Sequence, residues 1–157
     1  MKSLIPAHSK YIRFAESILN KFQDAEDVVQ DCYVKMLERK EDDAIDNKEA
    51  YMMRMVRNAC LDVLRKKRPE ELEESYAGMK LAQTDIHRAL EAKEQIHRLK
   101  LLMNLLSEKQ RTVFFLRDIE GYELAEIESM TGMNNEAVRA NLSRARKQLR
   151  ELYNRVL

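Results

Sequence analysis

Strong helix breakers are scarce in this chain: 157 residues contain three Gly and two Pro. Where they fall matters as much, because a multi-stranded fold needs a turn signal about every 8–12 positions. Pro6, Pro69, Gly78, Gly121 and Gly132 instead leave stretches of tens of residues uninterrupted. Such stretches suit helices, and the expected class is all-α. Pro69 and Gly78 lie in the segment "PEELEESYAGMKLAQ", residues 69–83, which reads as a linker. It divides the chain into two small helical domains, 1–68 and 84–157.

Hydrophobic spacing fills in the elements. Ile12, Ala15, Ile18, Leu19 and Phe22 form one stripe, predicting a helix over about 9–22. Asp24 reads as the N-cap of a second helix reaching about residue 39, and the polar loop "KEDDAIDN" follows. A third helix over about 48–67 stops before Pro69, whose ring disfavours helix in the residue ahead of it. After the linker, Leu90, Ile96, Leu99, Leu102, Met103 and Leu106 predict a long helix from near Thr84 to about residue 105. "SEKQ", from Ser107, is a capping box. The helix it opens carries Val113, Phe114, Leu116 and Ile119 and ends at Gly121. A short helix over about 123–130 leads through Thr131-Gly132 into a last helix from Asn135.

Several function classes are excluded at this level. No apolar run approaches the ~18 residues of a membrane span. The polar start "MKSLIPAHSK" carries no signal peptide, so a cytoplasmic chain without membrane insertion is expected. Cys32 and Cys60 each fall on an apolar helix face, which suits reduced core packing. His8, His87 and His97 lack ligand spacing, and no phosphate-cradling glycine loop or nucleophile–base set stands out. No metal, cofactor or catalytic residue is expected, and the chain does not read as an enzyme.

Charge distribution says more than the net charge of +1. From Asn135 to Arg155 there are six Lys/Arg against two Glu. A short helix, a glycine turn and a longer basic helix have the outline of a helix-turn-helix. In the last helix Val138, Leu142, Ala145, Leu149 and Leu152 share one face. Glu136, Arg139, Ala140, Ser143, Arg144, Lys147 and Arg150 lie opposite. Arginines there can bond phosphate or guanine edges, and the small Ala140 and Ser143 allow close approach to a major groove.

Two other helices carry exposed chemistry. The third has an outward strip of Arg54, Asn58, Leu61 and Arg65, flanked by Tyr51 and Arg57. Cations, an amide and an aromatic fit single-stranded or distorted DNA, and equally a solvated, salt-bridged helix. In the second helix Ala25, Val29, Cys32, Tyr33 and Met36 point inward, while Asp27, Gln30, Asp31, Val34 and Glu38 point outward. Asp31 stands one turn after Asp27, and like charges at that spacing repel by a few tenths of a kcal/mol, roughly. Val34 is an apolar centre within this polar rim, the usual build of a protein-binding patch.

The segments "DAEDVVQDCYVKML", "YMMRMVRNACLDVLRKKRP" and "LSEKQRTVFFLRDIEGYELAEIESMTGMNNEAVRANLSRARKQLRE", in this order, resemble bacterial sigma factors of the extracytoplasmic-function class. The resemblance implies a polymerase-binding, promoter-melting first domain and a second domain that reads the upstream promoter element. It assigns Asp27, Gln30 and Asp31 to the β′ clamp coiled coil of core RNA polymerase, and Val34, the apolar centre of the same strip, joins them as a polymerase-binding residue. Arg54, Arg57 and Asn58, with Tyr51 and Arg65 on the same helix, are assigned to the downstream promoter element. Arg139, Ser143 and Arg144 are assigned to the upstream element, and Asn135, Ala140 and Lys147 of the same helix are expected to meet it with them. The polymerase β flap and an anti-sigma factor are further implied partners.

Three positions depart from the family pattern. Tyr51 stands in place of a common Trp, Glu128 in place of a small Ala, and Asn141 in place of a basic residue. Two other readings fit the residues alone: a stand-alone helix-turn-helix regulator, and a helical adaptor whose basic tail meets an acidic protein.

Overall fold

The first turn of the chain's structure is set by an asparagine. In the computed structural model, which describes residues 8–39, 47–67 and 92–156, helix α1 (His8–Leu19) ends at Asn20. Asn20 has φ 62° and its amide donates to Glu16 O at 2.8 Å. This is a left-handed helix stop, a conformation Asn tolerates better than most residues. Helix α2 (Phe22–Glu38) therefore starts earlier than its sequence pattern predicts. Phe22 opens α2 and is 55% exposed, so it does not complete the α1 stripe. That stripe centres on Tyr11, Phe14, Ala15 and Ile18.

Asp24 is also not the N-cap. Lys21 holds that position without a side-chain bond, and Asp24 sits in the first turn. Its carboxylate lies 3.5 Å from Lys67 Nζ, joining the start of α2 to the end of helix α3 (Lys48–Lys66). Asn47 caps α3 by accepting from Ala50 N at 3.0 Å. The three helices enclose Val29, Cys32, Met52, Met53, Val56 and Cys60, all buried.

In the second half, α4 (Ala92–Met103) ends two residues short of its expected limit. The linker 69–83 and the expected helix start near Thr84 lie outside the described residues. Ser107 caps α5 (Glu108–Phe114) with the reciprocal capping box its sequence predicts. The chain then widens into a π-helical turn, Phe115–Ile119, in which Glu120 N donates to Phe115 O at 3.0 Å. The extra residue in that turn rotates Ile119 outward to 41% exposure, against the expectation that it faces the core. Helix α6 (Leu124–Thr131) closes on Gly132, φ 78°, and α7 (Asn135–Val156) follows.

The two halves pack on each other. Phe14 and Phe115 stack at 5.9 Å between ring centroids, and α3 lies against α6. The buried apolar side chains of both halves form one continuous core. Full burial of each Phe- or Met-sized side chain contributes about 1.5–3 kcal/mol. Among the described residues there is no strand, and no helix is long and apolar enough to cross a membrane.

Candidate nucleic-acid and protein interfaces

Helix α2 presents its acidic strip as the sequence pattern predicts. Asp27, Gln30, Asp31, Val34 and Glu38 are exposed, and Ala25, Val29 and Cys32 are buried. Leu37 adds to the patch. At 59% exposure and one turn after Val34 (52%), it doubles the apolar centre of the strip. Its spacing from Val34 is the signal that would have found it. Burial raises the thiol of Cys32 to about 11 and that of Cys60, on α3 behind it, to about 12. Both are free cysteines and serve as packing groups.

Helix α7 is positioned by short-range chemistry at its start and an ion pair in its middle. Asn134 Oδ1 accepts from Ala137 N at 2.8 Å, capping the helix. Thr131 Oγ1 accepts from Met133 N at 3.2 Å and fixes the turn before it. Val138, Leu142, Ala145 and Leu149 are buried. Arg146 donates to both carboxylate oxygens of Asp118 at 2.8 and 2.6 Å, fastening α7 to the π-helical turn. Spacing alone gives no sign of that pairing, because 28 residues separate the partners.

The outward strip of α7 is open. Asn135, Arg139, Ser143, Arg144 and Lys147 are exposed, and Ala140 is half-buried. Asn141 donates its amide to Ala137 O at 2.8 Å, so this side chain is spent on its own helix. Glu128, the other departure in this domain, is half-buried in α6, and its carbonyl accepts from Gly132 N at 2.8 Å. Beside the strip runs a groove of about 950 Å³, floored by Leu102, Phe114, Leu142 and Leu149 and edged by Arg139 and Arg150.

Helix α3 differs from its expected picture. Arg54, Asn58 and Arg65 are exposed, and Arg65 pairs with Asp62 on the same helix. Tyr51 is half-buried with the Arg39 guanidinium 4.5 Å from its ring centroid, so a cation already occupies one face of the ring. Arg57 does not flank an open strip: it is 9% exposed. Its guanidinium bonds both oxygens of Glu108 at 2.9 and 3.0 Å and donates to Thr131 O at 3.2 Å. Both partners belong to the second half of the chain. The Arg54 guanidinium lies against Gly132, where a Cβ would collide with it.

Among the described residues no group of three His, Cys, Asp or Glu side chains could hold a metal ion. The exposed chemistry thus consists of an acidic, apolar-centred strip on α2, a basic strip on α7, and an α3 face partly covered by the second domain.

Comparison with known proteins aligns with this division. Residues 7–70 match the family described as Sigma-70 region 2, and residues 96–149 match Sigma-70, region 4. The chain is 25% identical over 152 residues to "ECF RNA polymerase sigma factor SigE" of Mycolicibacterium smegmatis. That alignment covers 94% of this chain but 59% of the relative, so the chain spans about three-fifths of the relative's length. Its fold is similar to that of CnrH, solved in complex with the cytosolic domain of CnrY (TM-score 0.70, 24% identity, 98% of this chain and 86% of that one). It is also similar to the sigma factor RpoE, solved with the anti-sigma factor NepR from Bartonella quintana (TM-score 0.68, 22% identity, 98% and 95%).

Proposed function

Because the chain belongs to the sigma-70 family, in its extracytoplasmic-function class, we propose that it is a promoter-specificity subunit of RNA polymerase. It binds core polymerase and directs initiation by recognising and melting promoter DNA. The observation that carries this reading is the pairing, in one chain, of a region 2 unit with a protein-type patch and a region 4 unit with an open basic helix. A simple DNA-binding protein has no use for the first.

In this reading Asp27, Gln30, Asp31 and Val34 on α2, now joined by Leu37, meet the polymerase β′ clamp. Asn135, Arg139, Ala140, Ser143, Arg144 and Lys147 on α7 meet the upstream element. Tyr51, Arg54, Asn58 and Arg65 on α3 meet the downstream element, while Arg57 is held by Glu108 and Thr131. The β flap is a second polymerase contact, and an anti-sigma factor is a further partner, supported by the complex in which the similar RpoE was solved. The chain works in the cytoplasm and supplies no catalytic group, since nucleotide addition belongs to the polymerase.

Reconstituted transcription with start-site mapping tests the reading. Core polymerase plus this chain is expected to initiate at a defined promoter at which core alone does not. Tight binding of duplex DNA by the chain alone, with no effect on core polymerase, would replace this reading with a stand-alone regulator.

A further inference from the structure

The aromatic at the end of the α3 strip is not bare. Asn58 follows Tyr51 by two turns of helix, so the two share a line along α3, with the exposed Arg54 between them. Tyr51 closes that line near the start of the helix, and there the end of α2 comes alongside. The two helices run antiparallel. Asp24, in the first turn of α2, meets Lys67 just past the end of α3, while Arg39, where α2 stops, meets Tyr51 near the start. The Arg39 guanidinium lies 4.5 Å from the centroid of the Tyr51 ring. We propose that Arg39 is a positioning residue for the downstream promoter strand: it holds the Tyr51 ring by one face so that an unpaired base stacks on the other. The proposal deepens the functional reading above and rests on it.

Helix-end electrostatics accounts for only part of this arrangement. A cation at the end of α2 is favoured by the helix dipole wherever its side chain points. The dipole does not require a guanidinium to lie over a ring. An aromatic side chain on a helix surface turns among rotamers. A ring held by a cation has given up that freedom before the strand arrives, so less is lost on binding. A guanidinium stacks through its flat face, which covers one side of the ring and leaves the other side for a base.

The chemistry also says what this contact does. Tyrosine offers less stacking area than the tryptophan common at this position in the family, and a ring fixed in advance offsets part of that difference. Stacking on an aromatic is sequence-tolerant, because every base has a π-face. Arg39 therefore governs how firmly the strand is held beside Tyr51, while the identity of the base is read elsewhere. Both residues belong to the first domain, so the device is complete within it.

The test uses holoenzyme reconstituted from core polymerase and the full chain, with a single-stranded oligonucleotide carrying the promoter strand found by start-site mapping. A fluorescent purine analogue placed at each position in turn reports stacking by loss of emission. Wild type is expected to quench one position, and Tyr51→Ala to leave it bright. Arg39→Met keeps the length of the side chain without its charge. It is expected to restore most of the emission and to weaken binding of the oligonucleotide about fivefold, with the helical circular dichroism unchanged. Arg39→Lys, a cation without a flat face, is expected to fall between. An abasic site at the quenched position separates stacking from other roles. There the wild type is expected to lose affinity, and Arg39→Met to bind as the wild type does.

A loss in Arg39→Met that persists in full at the abasic site would make Arg39 a phosphate contact or a structural support, and overturns the proposal. Tighter binding by Arg39→Met would mean that the guanidinium blocks the ring, and unchanged quenching that the ring is placed without it. Either result also overturns it. Wild-type holoenzyme that binds no promoter strand at all would remove the functional reading, and this proposal with it.

Discussion

Asp31 carries the clearest single-residue prediction. It is exposed on α2 with Asp27 one turn before it, an arrangement that helix chemistry alone disfavours. Asp31→Arg is expected to weaken association with core polymerase by tenfold or more, read by titration of labelled chain. The helical circular dichroism should stay unchanged, because the side chain packs against nothing in the core. A second prediction concerns Cys32 and Cys60. With both thiols raised well above the ordinary value by burial, alkylation at pH 8 should be negligible in the folded chain and fast in denaturant. The folded state keeps both protons after the unfolded state has begun to lose them. Stability is therefore intact below the unfolded thiol value and declines as pH rises through the window from about 9 towards the folded values of about 11 and 12. Urea midpoints measured across that window check the sign.

At the scale of elements, what the sequence discloses depends on the range of the chemistry. The Ser107 capping box and the start of α7 act within three residues, and both stand where the pattern puts them. Removing the box by Ser107→Ala should cost about 1 kcal/mol of unfolding free energy, measurable in urea. The α1–α2 boundary is also local, yet Phe22 disguised it. An apolar residue in phase with the stripe masks Asn20, whose tolerance of a left-handed stop is the stronger local signal. Arg57 was illegible for a different reason. Its carboxylate partner lies 51 residues away, and helical spacing carries no information about such a pair. The same holds for Arg146 and Asp118. That ion pair is half-exposed, so Arg146→Ala should cost only about 0.5–1 kcal/mol. Its effect on use of the upstream element should be larger than that, because the pair fixes where α7 lies. Arg144→Ala, by contrast, should impair use of the upstream element without altering stability. A uniform loss across promoter variants, with a weaker salt dependence, would identify a phosphate contact.

For the whole molecule, the continuous core has a thermodynamic consequence. Although the family divides into separate regions, the buried clusters of the two halves are joined here. Urea unfolding of the free chain is expected to be one transition, with probes in either half reporting coincident midpoints. Two separated midpoints would mean that the seam contributes little to cooperativity. Phe115→Ala removes the ring stacked on Phe14 and should cost about 3–5 kcal/mol, lowering that shared midpoint.

The π-helical turn at Phe115–Ile119 sits where these scales meet. It carries one anchoring carboxylate, Asp118, which holds Arg146, and is followed directly by another, Glu120, which holds Arg13. A helix advances about 100° per residue, so one residue more or fewer at this point re-aims everything beyond it. The turn therefore works as a spacer whose thickness is a single amino acid. Shortening it by one residue would swing both carboxylates off their arginines at a stroke, although neither acid had been touched. The angle at which the basic helix meets its target is written here in chain length, where a survey of side chains would not look for it.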